Sequence, residues 1–178
     1  MKNIRRRGFS IPRTVQSCWT PPVDPYWKIN FDVAVCPSFT MLAVVCRNFA
    51  ADTLFVWTKS MPPGPPILGE ANAALFAAQE AHLLSKEEVM FEGDSLSVVQ
   101  AICQEGISSD WSISSIISDI CHIWESHPSW SFHHVNRKAN IVAHTVAQWA
   151  AKEMLIGNIP THCIPVHCLS SDNPRIPP

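Results

Sequence analysis

The spacing of apolar side chains changes character partway along this chain, and that change limits the folds open to it. From Lys28 to Val35 apolar and polar residues alternate, so Ile29, Phe31 and Val33 share one face of a strand and Asn30 and Asp32 the other. Thr40–Cys46 and Thr53–Thr58 are two further apolar runs with short polar links, and three such runs predict an antiparallel meander. Pro62, Pro63, Pro65 and Pro66 then interrupt regular structure. After them Gly69-Glu70 opens an alanine-rich stretch to Leu84, in which Ala71, Ala74, Leu75 and Ala78 recur at helical spacing. Val89–Glu92 reads as a fourth strand, and Asp94 or Ser95 is placed to cap a helix ending near Cys103. Ile113, Ile116, Ile117, Ile120, Cys121 and Trp124 form one helical stripe, and Trp130–Val135 alternates again. Val142, Val146, Trp149 and Ala150 share a face of a last helix. The order β-β-β-α-β-α-α-β-α predicts an α/β fold, a mixed five-stranded sheet with helices on both faces.

The chain has 178 residues, 47% hydrophobic and 16% charged, enough for one domain with a real core and too apolar for wholesale disorder. No apolar run approaches the ~20 residues of a membrane helix. Charge is uneven. Residues 1–26 carry five Lys/Arg and one acid, whereas residues 27–155 carry seven Lys/Arg and thirteen Asp/Glu. Residues 1–25 are therefore read as a basic, proline-containing, flexible arm, 26–155 as the domain, and 156–178 as a flexible proline-rich tail. The arm is either a phosphate contact or a solvated remnant. Seven cysteines with no CxxC pair, and a basic start without an apolar run after it, predict reduced thiols and an intracellular location: nucleus or cytoplasm, with an organelle left open. A monomer is expected. In the tail, His162-Cys163 and His167-Cys168 offer four nitrogen and sulfur ligands, but their spacing fits no common zinc finger.

Three acids sit where chemistry would need them. Phosphodiester hydrolysis builds charge on oxygen, and hard divalent cations held by carboxylates can bear it. Asp32 lies mid-strand on the face opposite Ile29, Phe31 and Val33, a poor place for a carboxylate without a partner. Glu70 opens the alanine-rich helix, and Asp94 follows the fourth strand. Taken singly, Glu70 is also explained as a first-turn acid and Asp94 as an N-cap.

Four blocks in order carry a family resemblance: Trp-x-Lys-Ile-Asn-Phe-Asp-x-Ala from Trp27, Gly-Glu-Ala-x-Ala-Ala-Leu from Gly69, Phe-Glu-Gly-Asp-Ser-Leu from Phe91, and Phe-His-His-Val-Asn-Arg-Lys-Ala-Asn-Ile-Val-Ala-His from Phe132. Over residues 19–152 the chain resembles the ribonuclease H type 1 fold, most closely the plant branch derived from non-LTR retroelements. The resemblance implies an endonuclease that cleaves the RNA strand of an RNA–DNA hybrid with two magnesium ions, manganese being an alternative. It implies Asp32 between the two ions, with Glu70 and Asp94 each holding one.

Where the family has its fourth carboxylate, this chain has His144, which leaves three readings: a weaker, neutral metal ligand, a proton shuttle, or a group that only covers the site or pairs with Asp32. His134, ten residues earlier, matches the histidine of active relatives that aids product release or water activation. The expected site is therefore Asp32, Glu70, Asp94, His144 and His134, with the first four as metal ligands and RNA–DNA hybrid or RNA as partner. The second strand lacks the family's two glycines, and the basic protrusion of some members is absent. These departures keep two alternatives open: a catalytically weak or inactive nucleic-acid-binding module, and a protein-interaction scaffold from a decayed retroelement. A 3′–5′ exonuclease of similar fold is disfavoured, since Asp32-Val33-Ala34 lacks a second acid.

Overall fold

A computed structural model describes residues 18–104 and 110–172. The arm up to residue 17 and the tail from residue 173 lie outside the described residues. Strands β1 (Trp27–Val35), β2 (Thr40–Arg47) and β3 (Thr53–Met61) form the expected meander, with β1 antiparallel to β2 and β2 to β3. Helix α1 (Pro66–Leu83) leads to β4 (Val89–Gly93), which pairs parallel with β1. Helices α2 (Leu96–Cys103) and α3 (Ser114–Glu125) lead to β5 (Ser131–His134), parallel to β4. Helix α4 (Ile141–Glu153) follows. The spatial order is β5-β4-β1-β2-β3-β6, with one strand more than the sequence predicts.

That extra strand is β6 (Gly157–Asn158), which pairs antiparallel with β3. It lies in the segment read as a tail, so the boundary at 155 is not where packing stops. Ile159, Ile164 and Cys168, the last on the short helix α5 (Val166–Leu169), join the buried cluster formed by Ala43, Val45, Val56, Val142 and Val146. Prolines at 160 and 165 each immediately precede a short helical turn, a placement compatible with a fixed φ and no N–H to satisfy. Of the N-terminal segment, Trp19 is also buried.

Alternation along β1 sorts the two cores. Ile29, Phe31 and Val33 pack with Leu42, Val44 and Cys46 under α1, α2 and α3. Asn30 and Asp32 face the other way, toward α4. Each fully buried large side chain on the first face contributes roughly 1.5–3 kcal/mol. Helix α1 meets the sheet through Ala71, Ala74, Ala77, Ala78 and Ala81, all without exposed surface. At Gly69 an added Cβ would stand 3.1 Å from Thr40 Cγ2 and 3.5 Å from Val33 Cγ1, so the helix runs close to the sheet where Glu70 follows. The helix begins at Pro66, one turn earlier than expected, because proline suits the first helical position. Glu70 therefore lies beyond the first turn, and the helix-dipole explanation for it falls away. No described helix is long and apolar enough to cross a membrane.

Candidate active site

The site gathers at the carboxyl ends of the parallel strands. The register Asn30↔Glu92 between β1 and β4 makes Asp32 level with Asp94, two residues past the last paired residue. Glu70 comes in from α1. One oxygen from each of Asp32, Glu70 and Asp94 lies within 4.8 Å of the others. Among the described residues this is the one group of three or more acidic, histidine or cysteine side chains able to share an ion; the paired His-Cys residues of the C-terminal segment do not converge.

Asp32 forms the floor, with no exposed surface. Its Oδ1 accepts from the Val33 amide at 2.7 Å, while Oδ2 is buried without a hydrogen-bond partner. Glu70 Oε2 is buried and unpartnered too. Burial, then the neighbouring Asp94, pushes the Asp32 carboxyl up to about 7, against the opposing pull of the Val33 amide and Arg137. Burial, then Asp32 and Asp94, pushes Glu70 up to about 8. Two buried oxygens without hydrogen bonds thus face a third carboxylate.

His144 is on α4, one turn past Asn140, and its Nδ1 lies 3.2 Å from Asp32 Oδ2. Burial, then the Arg137 cation, holds its imidazole below the usual histidine range, Asp94 opposing. Arg137, one residue of the block that begins at Phe132, joins the site. Its Nη1 donates to Asp94 Oδ2 at 3.0 Å, and its Nη2 lies 2.8 and 3.0 Å from the two ring nitrogens of His144. The signal available in the sequence was its place in the short link between the last strand and helix, beside the strand ends. Asn140 is a second omission. It lies just before α4 with its amide donating to the Phe31 carbonyl at 2.9 Å, tying the helix start to β1. His134 closes β5 and its ring Nε2 lies 3.2 Å from the Asp94 carbonyl, so it borders the group rather than joining it. His133 bonds Ser131 at 2.8 Å instead.

The Reverse transcriptase-like family model matches residues 30–150. No curated protein sequence matches. Among solved structures, RNase H1 from Halobacterium salinarum NRC-1 superposes with a TM-score of 0.66 at 17% identity, covering 72% of this chain and 98% of that one. LC11-RNase H1 in complex with an RNA/DNA hybrid gives 0.64 at 17% identity over 72% and 98%. The N-terminal RNase H domain of Rv2228c from Mycobacterium tuberculosis gives 0.60 at 13% identity over 73% and 99%. The family match over most of the domain, with these superpositions, makes the chain a member of the Reverse transcriptase-like family with a ribonuclease H1-type fold.

Proposed function

We propose that the chain binds RNA–DNA hybrid and hydrolyses its RNA strand, using divalent cations held by Asp32, Glu70 and Asp94. One observation carries this reading: three carboxylates close to within 4.8 Å, two of them with buried oxygens that have no partner. An all-oxygen donor set of this kind fits magnesium or manganese. When bound, such cations stabilise the charge that develops on the phosphodiester oxygens.

The protein's own groups do the rest. Asp32 is fixed by the Val33 amide, so its free oxygen keeps one direction. Arg137, whose side chain is 54% exposed, presents a guanidinium at the rim, where a phosphate would approach. His134 Nε2–H donates to the Asp94 carbonyl, which leaves Nδ1 as the nitrogen able to take a proton. His144 contributes a ring nitrogen beside Asp32 in place of a fourth carboxylate. The relative solved with an RNA/DNA hybrid supports the substrate class. Recognition would rest on backbone shape and 2′-hydroxyls rather than base sequence.

A second reading has its own support. With His144 in place of a carboxylate and Arg137 paired to Asp94, the pocket carries less negative charge, which favours a binding module of low activity. Cleavage of a labelled hybrid in magnesium, then in manganese, separates them. The enzyme reading expects cleavage, stronger in manganese, that falls at least about a hundredfold in Asp32→Asn. Hybrid binding without cleavage in either ion assigns the binding module, and neither activity leaves an interaction scaffold.

A further inference from the structure

Behind the carboxylates runs a line of buried polar groups that extends past the residues the family model matches. Asn30 Nδ2 donates to Asn140 Oδ1 at 3.2 Å and to Glu92 Oε2 at 3.0 Å. Asn30 Oδ1 accepts from Arg47 Nη2 at 3.0 Å, and Arg47 Nη1 donates to Asp172 Oδ2 at 2.6 Å. The other Glu92 oxygen pairs with Lys28 at 2.9 Å. Arg47 is 2% exposed and Asn30 and Asn140 no more than 1%. The Arg47 guanidinium also lies 3.5 Å from the centre of the Trp19 ring. Trp19 and Asp172 both fall outside residues 30–150, which the family model matches. Two segments flanking the matched residues thus clamp one buried cation.

The line ends at the site. Asn140 immediately precedes α4, and its carbonyl accepts from the His144 amide at 3.1 Å. A buried guanidinium does not stay unpaired. Without Asp172, the remaining carboxylate whose charge reaches Arg47 is Glu92. Arg47 turning to Glu92 would take an acceptor from Asn30 and rotate its amide away from Asn140. The start of α4 would lose one of its two ties to β1, and His144 its fixed place beside Asp32.

We propose that Arg47 is a positioning residue for the carboxylate site, held by Trp19 and Asp172 and acting through Asn30 and Asn140 on the start of α4. The link to the metal rests on the functional reading above; the mechanical link does not. The test uses the full chain carrying Asp172→Asn, with Asp172→Glu as the rescue and Trp19→Leu as an independent probe. Side-chain amide resonances of Asn30 and Asn140 and ring resonances of His144 are followed by NMR. Affinity for MnCl2 is measured by calorimetry well below the unfolding midpoint. Asp172→Asn and Trp19→Leu should shift the Asn140 and His144 resonances and weaken manganese at least about threefold, and Asp172→Glu should return both toward the parent. A lowered unfolding midpoint with those resonances and the manganese affinity unchanged would overturn the proposal and leave Arg47 a structural residue. If the parent binds no manganese, the functional reading fails, and the resonances alone then decide whether Asp172 is coupled to His144.

Discussion

Asp32 and Glu70 are held in the folded chain at about 7 and about 8, far above the 3.8 and 4.5 that the same carboxyls have when unburied. Between roughly pH 4 and 8 the folded state therefore binds protons that the unfolded state has released. The sign follows: these groups make the cation-free protein less stable as pH rises through that window, and no further above it. Each pKa unit is worth about 1.4 kcal/mol, so Asp32 alone costs on the order of a few kcal/mol at pH 8. Asp32→Asn keeps the acceptor for the Val33 amide and removes the charge. Its thermal midpoint in chelator should exceed the parent's by a margin that widens from pH 4 to pH 8; a margin independent of pH would contradict this origin. The same reasoning applies at His144. His144→Asp adds a fourth carboxylate beside Asp32, and calorimetry should show magnesium bound about tenfold more tightly, while the cation-free midpoint at pH 8 falls.

Elements place these residues, and their packing is tight in one spot. An added Cβ at Gly93 would lie 2.4 Å from two ring atoms of Phe31, which is fully buried. Gly93→Ala must displace either that ring or the end of β4, and Asp94 with it. We expect a loss of about 1–3 kcal/mol in urea unfolding and a weaker manganese affinity; an unchanged midpoint would show that β4 yields freely. The meander, the α1 pattern and the stripe on α3 were legible because burial on one face writes a clear period. Asp32 stands out as a mid-strand carboxylate, whereas Glu70 on a helix and Asp94 at a strand end have ordinary local explanations, and only the fold brings the three within 4.8 Å. Two-residue β6 was not legible: Gly157 and Asn158 are both exposed and carry no alternation. Arg137 is not legible as a site residue because Asp94, 43 residues away in sequence, is brought to it only by the fold.

At the scale of the molecule, residues 157–172 pack with the rest of the domain. Ile159, Ile164 and Cys168 cover the second core, and Asp172 neutralises Arg47. Truncation after Leu155 should expose that core and strand the Arg47 charge, costing several kcal/mol. Denaturant unfolding of the shortened chain should show an earlier midpoint; an unchanged midpoint would return residues 156–172 to the role of a loose tail. The proposed metal site lies where α1, β1 and the end of β4 meet. Manganese diffused into crystals of the protein gives an anomalous signal that locates it without reference to activity. A peak is expected within about 2.5 Å of oxygens from Asp32, Glu70 and Asp94. Crystals that show no peak there, or only peaks elsewhere on the surface, would contradict the proposed site.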